Sequence, residues 1–173
     1  MNKNVLAYEL IGIVFIVILG SILHFTFELS GNNQIVALFS AVNESVWEHL
    51  KLGFWPALLY AIIEYRKLKS MDNFLFAKAV GIYLIPISIV ILFYSYTAFI
   101  EGNLAIDILI FIVAVIIGQM ISYKILNTRK MPNLLKKVSL IALIVLSAMF
   151  LIFTFYPPKL PLFVDPISGK YGL

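Results

Sequence analysis

Residues 5–27 read VLAYELIGIVFIVILGSILHFTF, an apolar run interrupted only by Glu9, His24 and a few small or hydroxyl residues. At about 1.5 Å per residue a helix over this run covers ~34 Å, enough to cross a hydrocarbon core of about 30 Å. It is far longer than the ~7–15 residues of a signal-peptide core, and no A-x-A-like site follows, so it reads as a retained first span. Comparable runs recur at about 44–66, 74–99, 104–126 and 136–156. Lipid offers the backbone no hydrogen-bond partner, so each run must be helical. The expected fold is an all-α integral membrane protein with about five transmembrane helices, a single transmembrane domain over residues 1–173 without internal repeat. Composition agrees: 62% of the chain is hydrophobic and 13% charged, against roughly 45–50% and 25% in soluble domains.

The net charge of +4 invites a nucleic-acid reading, but the distribution of the charges excludes it. On one side of the expected membrane lie Lys3, Arg66, Lys67, Lys69, Lys78, Lys124, Arg129, Lys130, Lys136 and Lys137, opposed by Glu9, Glu64 and Asp72. The other side holds Lys51, Lys159 and Lys170 with Glu28, Glu44, Glu48, Glu101, Asp107 and Asp165. This is the positive-inside pattern. It predicts a multi-pass protein of the plasma membrane, with the N-terminus cytoplasmic and the C-terminus extracytoplasmic. The partner so implied is the lipid bilayer. The chain has no cysteine, which excludes disulfides, thiolate ligands and cysteine nucleophiles.

Two segments depart from a simple row of spans. Residues 33–43 contain Ile35-Val36-Ala37-Leu38-Phe39, too apolar for a water loop and too short to span, and are expected to form a short re-entrant or interfacial helix before the second span. Ser45 and Glu48 have capping-box spacing, so a fresh helix starts near Asn43 to Ser45, and Pro56 with Gly53 predicts a kink. The tail, 157–173, carries Pro157, Pro158, Pro161 and Pro166 together with Leu160, Leu162, Phe163 and Val164. Prolines forbid regular helix there, and the apolar residues predict a strap lying back over the outer face.

Chemistry concentrates in Asn43-Glu44-Ser45-Val46-Trp47-Glu48-His49-Leu50-Lys51. On a helix Glu44 and Glu48 share a face, as do Ser45 and His49, while Lys51 lies one turn beyond Glu48. In the first span His24 and Glu28 are also four apart, near the outer end. These are the chain's two histidines, and the topology puts both at one depth. His24, Glu44, Glu48 and His49 are thus candidate ligands for a divalent metal such as zinc, because imidazole nitrogen with carboxylate oxygen suits zinc, manganese or iron. Glu44, Glu48 and His49 are also candidate acid/base groups, with Asn43 orienting a substrate or ligand. Without metal, neighbouring carboxylates near lipid can still carry protons. The H-E-x-x-H and Glu-x-x-His spacings of known metal helices are absent, so an interfacial capping and ion-pair network that pins a kinked helix is the competing reading.

Other polar residues have plainer explanations. Asp107 could join the cluster but reads first as a span-end carboxylate, Asp165 could be brought over the site by the tail but reads first as turn chemistry before Pro166, and Gln119 in mid-span is expected to glue two helices. Trp47, Trp55, Tyr94, Tyr96, Phe155 and Tyr156 are expected in an outer aromatic belt.

His24-Phe25 with Glu28, the N-E-S-x-W-E-H-x-K run at 43–51, Phe54-Trp55-Pro56, and the ending Tyr156-Pro157-Pro158, Asp165-Pro166 and Tyr171-Gly172 resemble a family of small bacterial multi-span membrane proteins classed only as a domain of unknown function. The resemblance covers nearly the whole chain. It implies that these positions are family hallmarks and carries no activity, cofactor or partner. The leading functional expectation is therefore the residues' own: a membrane-embedded, metal-dependent enzyme acting at the outer face on a lipid or envelope-linked substrate. The alternatives are a small transporter or ligand-binding membrane subunit, for which broken helices with polar groups at the break are the precedent, and a structural or regulatory membrane protein.

Overall fold

The computed structural model describes residues 3–128 and 131–173. Arg129 and Lys130, two of the basic loop residues, lie outside the described residues. Among the described residues there are six α-helices: α1 (Lys3–Leu29), α2 (Gln34–Ala37), α3 (Val46–Leu68), α4 (Phe74–Thr97), α5 (Leu104–Leu126) and α6 (Asn133–Phe155). A 3-10 turn follows at Pro161–Phe163. Among the described residues there is no strand, only an isolated bridge between Val164 and Tyr171. α1 packs against α3 and α5, α3 against α4, and α4 against α5 and α6.

Four helices, α1, α4, α5 and α6, are long and apolar enough to cross a membrane. The pattern of exposure on α1 shows why lipid is the natural solvent. Leu10, Val14, Ile18, Ile22 and Phe25 are each about half exposed, and this near-3.6-residue spacing makes one continuous apolar stripe. Val5, Glu9 and Ile16 on the other face are fully buried. α3, expected as a further span, has 23 residues, but Glu48, Lys51, Glu64, Arg66 and Lys67 dilute its apolar character. Three of these, Glu48, Lys51 and Glu64, are buried in the protein.

Helix ends are set by side-chain caps. Ser45 accepts a hydrogen bond from the Glu48 amide at the start of α3, and Asn103 accepts from the Ala105 and Ile106 amides at the start of α5. Both satisfy amides that have no intrahelical partner. The capping box is only half made: Asn43 Oδ1, not Glu48, accepts from the Ser45 amide at 2.9 Å. α1 ends on Gly31 and Asn32, both in the left-handed region (φ 70° and 62°), with the Asn32 amide bonded to the Phe27 carbonyl at 3.1 Å.

α2 is a single turn, capped by Asn33. The segment that follows tucks back on α1 through Ser40, whose hydroxyl donates to the Leu23 carbonyl and accepts from Thr26 Oγ1 at 3.0 Å and the Phe27 amide at 3.1 Å.

α3 continues through Pro56. The missing proline amide deprives the Leu52 carbonyl of its i+4 donor, and α1 closes on that point. A Cβ built at Gly20 would lie 2.4 Å from the Leu52 oxygen and 2.8 Å from the Phe111 ring. Backbone on one side and a packed ring on the other leave no room, so Gly20→Val should destabilise the protein by about 1–3 kcal/mol. Thermal unfolding in mild detergent reads this; an unchanged midpoint would mean that α1 and α3 are not in contact there. α4 and α5 approach as closely through Gly81 and Gly118, where a Cβ on either would fall within 2.7 Å of the other's carbonyl. Small residues at such crossings let helix backbones pack in lipid.

Candidate metal centre

The last turns of α1 and the first turn of α3 meet at one end of the bundle. His24 Nε2 and His49 Nε2 stand 3.1 Å apart, and Glu44 Oε2 is 3.4 Å from His49 Nε2. One ligand atom from each of these three residues lies within 4.8 Å of the others. Two nitrogens bound at about 2.0–2.1 Å to a tetrahedral ion sit roughly 3.3 Å apart, so the spacing of the two imidazoles fits such an ion. The side chains of His49 and Glu44 are 32% and 46% exposed. Beside them is a cavity of about 610 Å³ lined by His24, Glu28, Asn32, Asn43, Glu44 and Leu173, among others.

The tautomer of His49 follows from its neighbour. His49 Nδ1 lies 2.9 Å from the Ser45 carbonyl, which can only accept, so Nδ1 carries a hydrogen and, in the neutral imidazole, Nε2 is the nitrogen left with its lone pair. This is the orienting bond that metal-ligating histidines commonly make. His24 Nδ1 is buried without a partner, so only one of the two imidazoles has that support.

Glu48 is directed elsewhere. Its Oε2 is 2.5 Å from Lys51 Nζ and accepts from the Val42 amide at 3.1 Å. Lys51 also donates to the Ala37 carbonyl at 2.8 Å and to Thr154 Oγ1 at 3.0 Å. Both side chains are almost wholly buried. The pair thus joins α3, the segment after α2, and α6, and it stands apart from the three grouped ligand atoms. Asn43 is also committed to structure. Beyond its bond to the Ser45 amide, Nδ2 donates to the Gly172 carbonyl at 3.0 Å and ties the tail to the site.

The whole chain, residues 1–173, matches a family of unknown function, DUF6512. The chain belongs to that family. No curated protein and no solved structure shows significant similarity to it, so in DUF6512 the chemistry of the site rests on this chain's own residues.

The tail of this DUF6512 protein is ordered by Asp165, which is both a turn and a tether. Its carboxylate accepts from the Ile167 amide at 3.1 Å, the Ser168 amide at 3.2 Å and the Ser168 hydroxyl at 2.5 Å. It also accepts from the backbone of Glu44. Burial opposes its ionisation, but these donors outweigh it and hold the carboxyl below the usual carboxylate range. The sequence suggested a tail folded over the outer face that could bring Asp165 to the site, but no spacing specified its bond to Glu44, because the two residues lie far apart in the chain. Asp107 does not join the site, since it accepts from the Tyr96 hydroxyl at 2.5 Å. Trp47 is 6% exposed and stacks on Phe150 and Phe163, with centroids 4.6 and 4.7 Å away. It belongs to the core and not to an aromatic belt. Gln119 is buried against Gly12 of α1, but its Nε2 has no hydrogen-bond partner.

A second polar cluster was hidden in residues read from sequence as topology charges. Glu9 of α1, Glu64 of α3 and Lys78 of α4 converge at the other end of the bundle, each at most 3% exposed. A mere excess of basic residues on one side of the membrane does not distinguish a solvated loop charge from a buried partner.

Proposed function

We propose that this DUF6512 protein is a membrane-embedded metalloenzyme that holds one divalent ion, zinc foremost, on His24, Glu44 and His49 and acts on a lipid or envelope-linked substrate. The observation that carries the reading is the convergence of these three ligand atoms beside the 610 Å³ cavity. Three protein ligands leave a tetrahedral ion one position for water or substrate, and an ion there supplies Lewis-acid polarisation for hydrolysis. Glu28, one turn beyond His24 and in the same cavity wall, is a carboxylate available for proton transfer. Asn43 and Asp165 position the tail and the Glu44 backbone. Glu48 keeps the entry to α3 in place through Lys51.

In this reading α3 is the fifth span, its charges shielded by neighbouring helices. The α2 segment folds back at the membrane surface or just within it. The charge asymmetry supports a plasma-membrane protein with a cytoplasmic N-terminus and the metal centre on the outer face. Elemental analysis of detergent-purified protein, prepared without chelator or affinity metal, tests the site. Wild type should carry near-stoichiometric zinc, manganese or iron, and His49→Ala should carry almost none while remaining folded. A metal-free wild type that gains no thermal stability from added divalent ions would overturn the proposal.

The Glu48–Lys51 pair favours a second reading, in which the whole polar run serves the fold. It predicts that His24→Ala and His49→Ala lower thermal stability in metal-free buffer by as much as in the presence of zinc.

A further inference from the structure

At the end of the bundle away from the histidines, four helices bring polar groups to one buried point. Glu9 lies six residues into α1, Glu64 four residues before the end of α3, Lys78 four residues into α4 and Ser122 four residues before the end of α5. At about 1.5 Å per residue these positions share a depth of roughly 6–9 Å from the helix ends, and ~22 Å of α1 separates Glu9 from His24. Lys78 Nζ is 2.6 Å from Glu9 Oε1 and also pairs with Glu64 Oε2. The Ser122 hydroxyl donates to Glu9 Oε1 at 2.9 Å.

From α3 the Tyr60 hydroxyl is spent on the Tyr8 carbonyl of α1 at 2.6 Å. α4 contributes only the Lys78 ammonium, and α5 contributes the uncharged Ser122 and, one turn away, Gln119. Three carboxylate oxygens, Glu9 Oε2 and both of Glu64, are buried with no hydrogen-bond partner, and so is Gln119 Nε2; of the three, Glu64 Oε2 is in ion-pair contact with Lys78. Two carboxylates therefore face one ammonium. If all three were ionised, the site would hold one uncompensated negative charge buried inside the bundle, an arrangement a protein interior tolerates poorly.

We propose that the Glu9–Lys78–Glu64 cluster is an intramembrane proton-binding site that holds one proton on Glu64 at neutral pH. The choice of carboxyl follows from the donors. Glu9 receives both the lysine and the serine hydroxyl, which favour its ionised form, whereas Glu64 receives the lysine alone. Its unpartnered Oε1 is the oxygen left to carry the hydrogen. Sodium or another monovalent cation is the less suitable occupant, because the Lys78 ammonium already lies between the carboxylates and supplies the positive charge. Ionisable groups held inside a membrane commonly mark proton or ion pathways. The site is independent of the metal centre at the opposite helix ends.

Infrared spectroscopy of the full chain in nanodiscs, in sodium-free potassium buffer at neutral pH, tests the assignment. The difference between wild type and Glu64→Gln should show the carbonyl stretch of one protonated carboxyl, present in wild type and absent from the variant. Glutamine copies the shape and neutrality of a protonated glutamate, so Glu64→Gln should keep the wild-type thermal midpoint at neutral pH. Lys78→Met removes the only ammonium and should raise the band towards two protonated carboxyls per chain; where that variant fails to fold, Glu64→Gln decides alone. A wild type without the band, or a band that survives Glu64→Gln, overturns the proposal. A band that disappears when sodium replaces potassium at constant pH overturns it in favour of a bound metal cation.

Discussion

Lys51→Met should destabilise the protein by about 3–5 kcal/mol, the cost of leaving a buried charge without its partner. The Lys51 side chain is fully buried, and its ammonium serves three acceptors at once: Glu48 at 2.5 Å, the Ala37 carbonyl at 2.8 Å and Thr154 Oγ1 at 3.0 Å. Methionine fills similar volume but offers no donor. Glu48 then keeps only the Val42 amide, and the Ala37 carbonyl loses its lysine donor. Glu48→Gln should also be costly, since it strands the ammonium. The double variant Glu48→Gln/Lys51→Met should recover much of the loss, because neither charge is then left alone. Thermal unfolding of the four proteins in one detergent gives the coupling directly. Additive single effects would show that the two side chains do not interact, and the fold at the entry to α3 would need another explanation.

Trp47→Ala should cost a similar amount, about 3–5 kcal/mol, as expected for emptying the space of a buried tryptophan. The indole is sandwiched near Phe150 and Phe163, with Phe153 at 5.5 Å. Phe150 belongs to α6 and Phe163 to the 3-10 turn of the tail. One ring therefore holds the first turn of α3 against both α6 and the tail. Part of the loss should be local: with its stacking partner gone, Phe163 lifts and the tail loosens enough for protease to cut at Lys159 and Lys170, whose side chains are already exposed. Limited trypsin digestion of the solubilised variant would reveal this as cleavage near the C-terminus before the helices are cut. A variant that resists trypsin like the wild type would mean that Asn43 and Asp165 hold the tail without help from Phe163.

These two predictions meet at the candidate centre from opposite sides. Lys51 and Trp47 do not touch the three ligand atoms, yet both fix the turn from which Glu44 and His49 project. Loss of metal in Trp47→Ala would therefore report displaced ligands and not a missing one.

Some of this was legible in the residues. The histidines stand at matching depths because His24 is five residues from the end of α1 and His49 three residues into α3, and antiparallel neighbours joined by a short connection must pair their adjoining ends. Glu44 was recognisable as their companion for the same reason. Glu48 was not separable from Glu44 in the sequence: helical spacing puts the two on one face, but Glu44 precedes the helix, and its side chain leaves from the capping turn in another direction. Lys51 then takes Glu48. The roles of Asn43 and Asp165 depend on a tail that returns across the whole length of the chain, and no local pattern encodes a contact of that range.

By itself, the sequence determined the helical membrane-compatible class, the start of α3 set by Ser45, and the gathering of both histidines at one end. These follow from solvent and local hydrogen bonding: long apolar runs must satisfy their own backbone, and caps act within a few residues. Only the tertiary structure decided which charged groups meet. Glu9, Glu64 and Lys78 come from three helices, and Lys51 of α3 reaches Thr154 of α6. Their pairing depends on how the helices rotate and approach, which is set by close contacts such as Gly20 on Leu52 and Gly81 on Gly118. Where water is absent, that rotation decides whether a charge finds a partner.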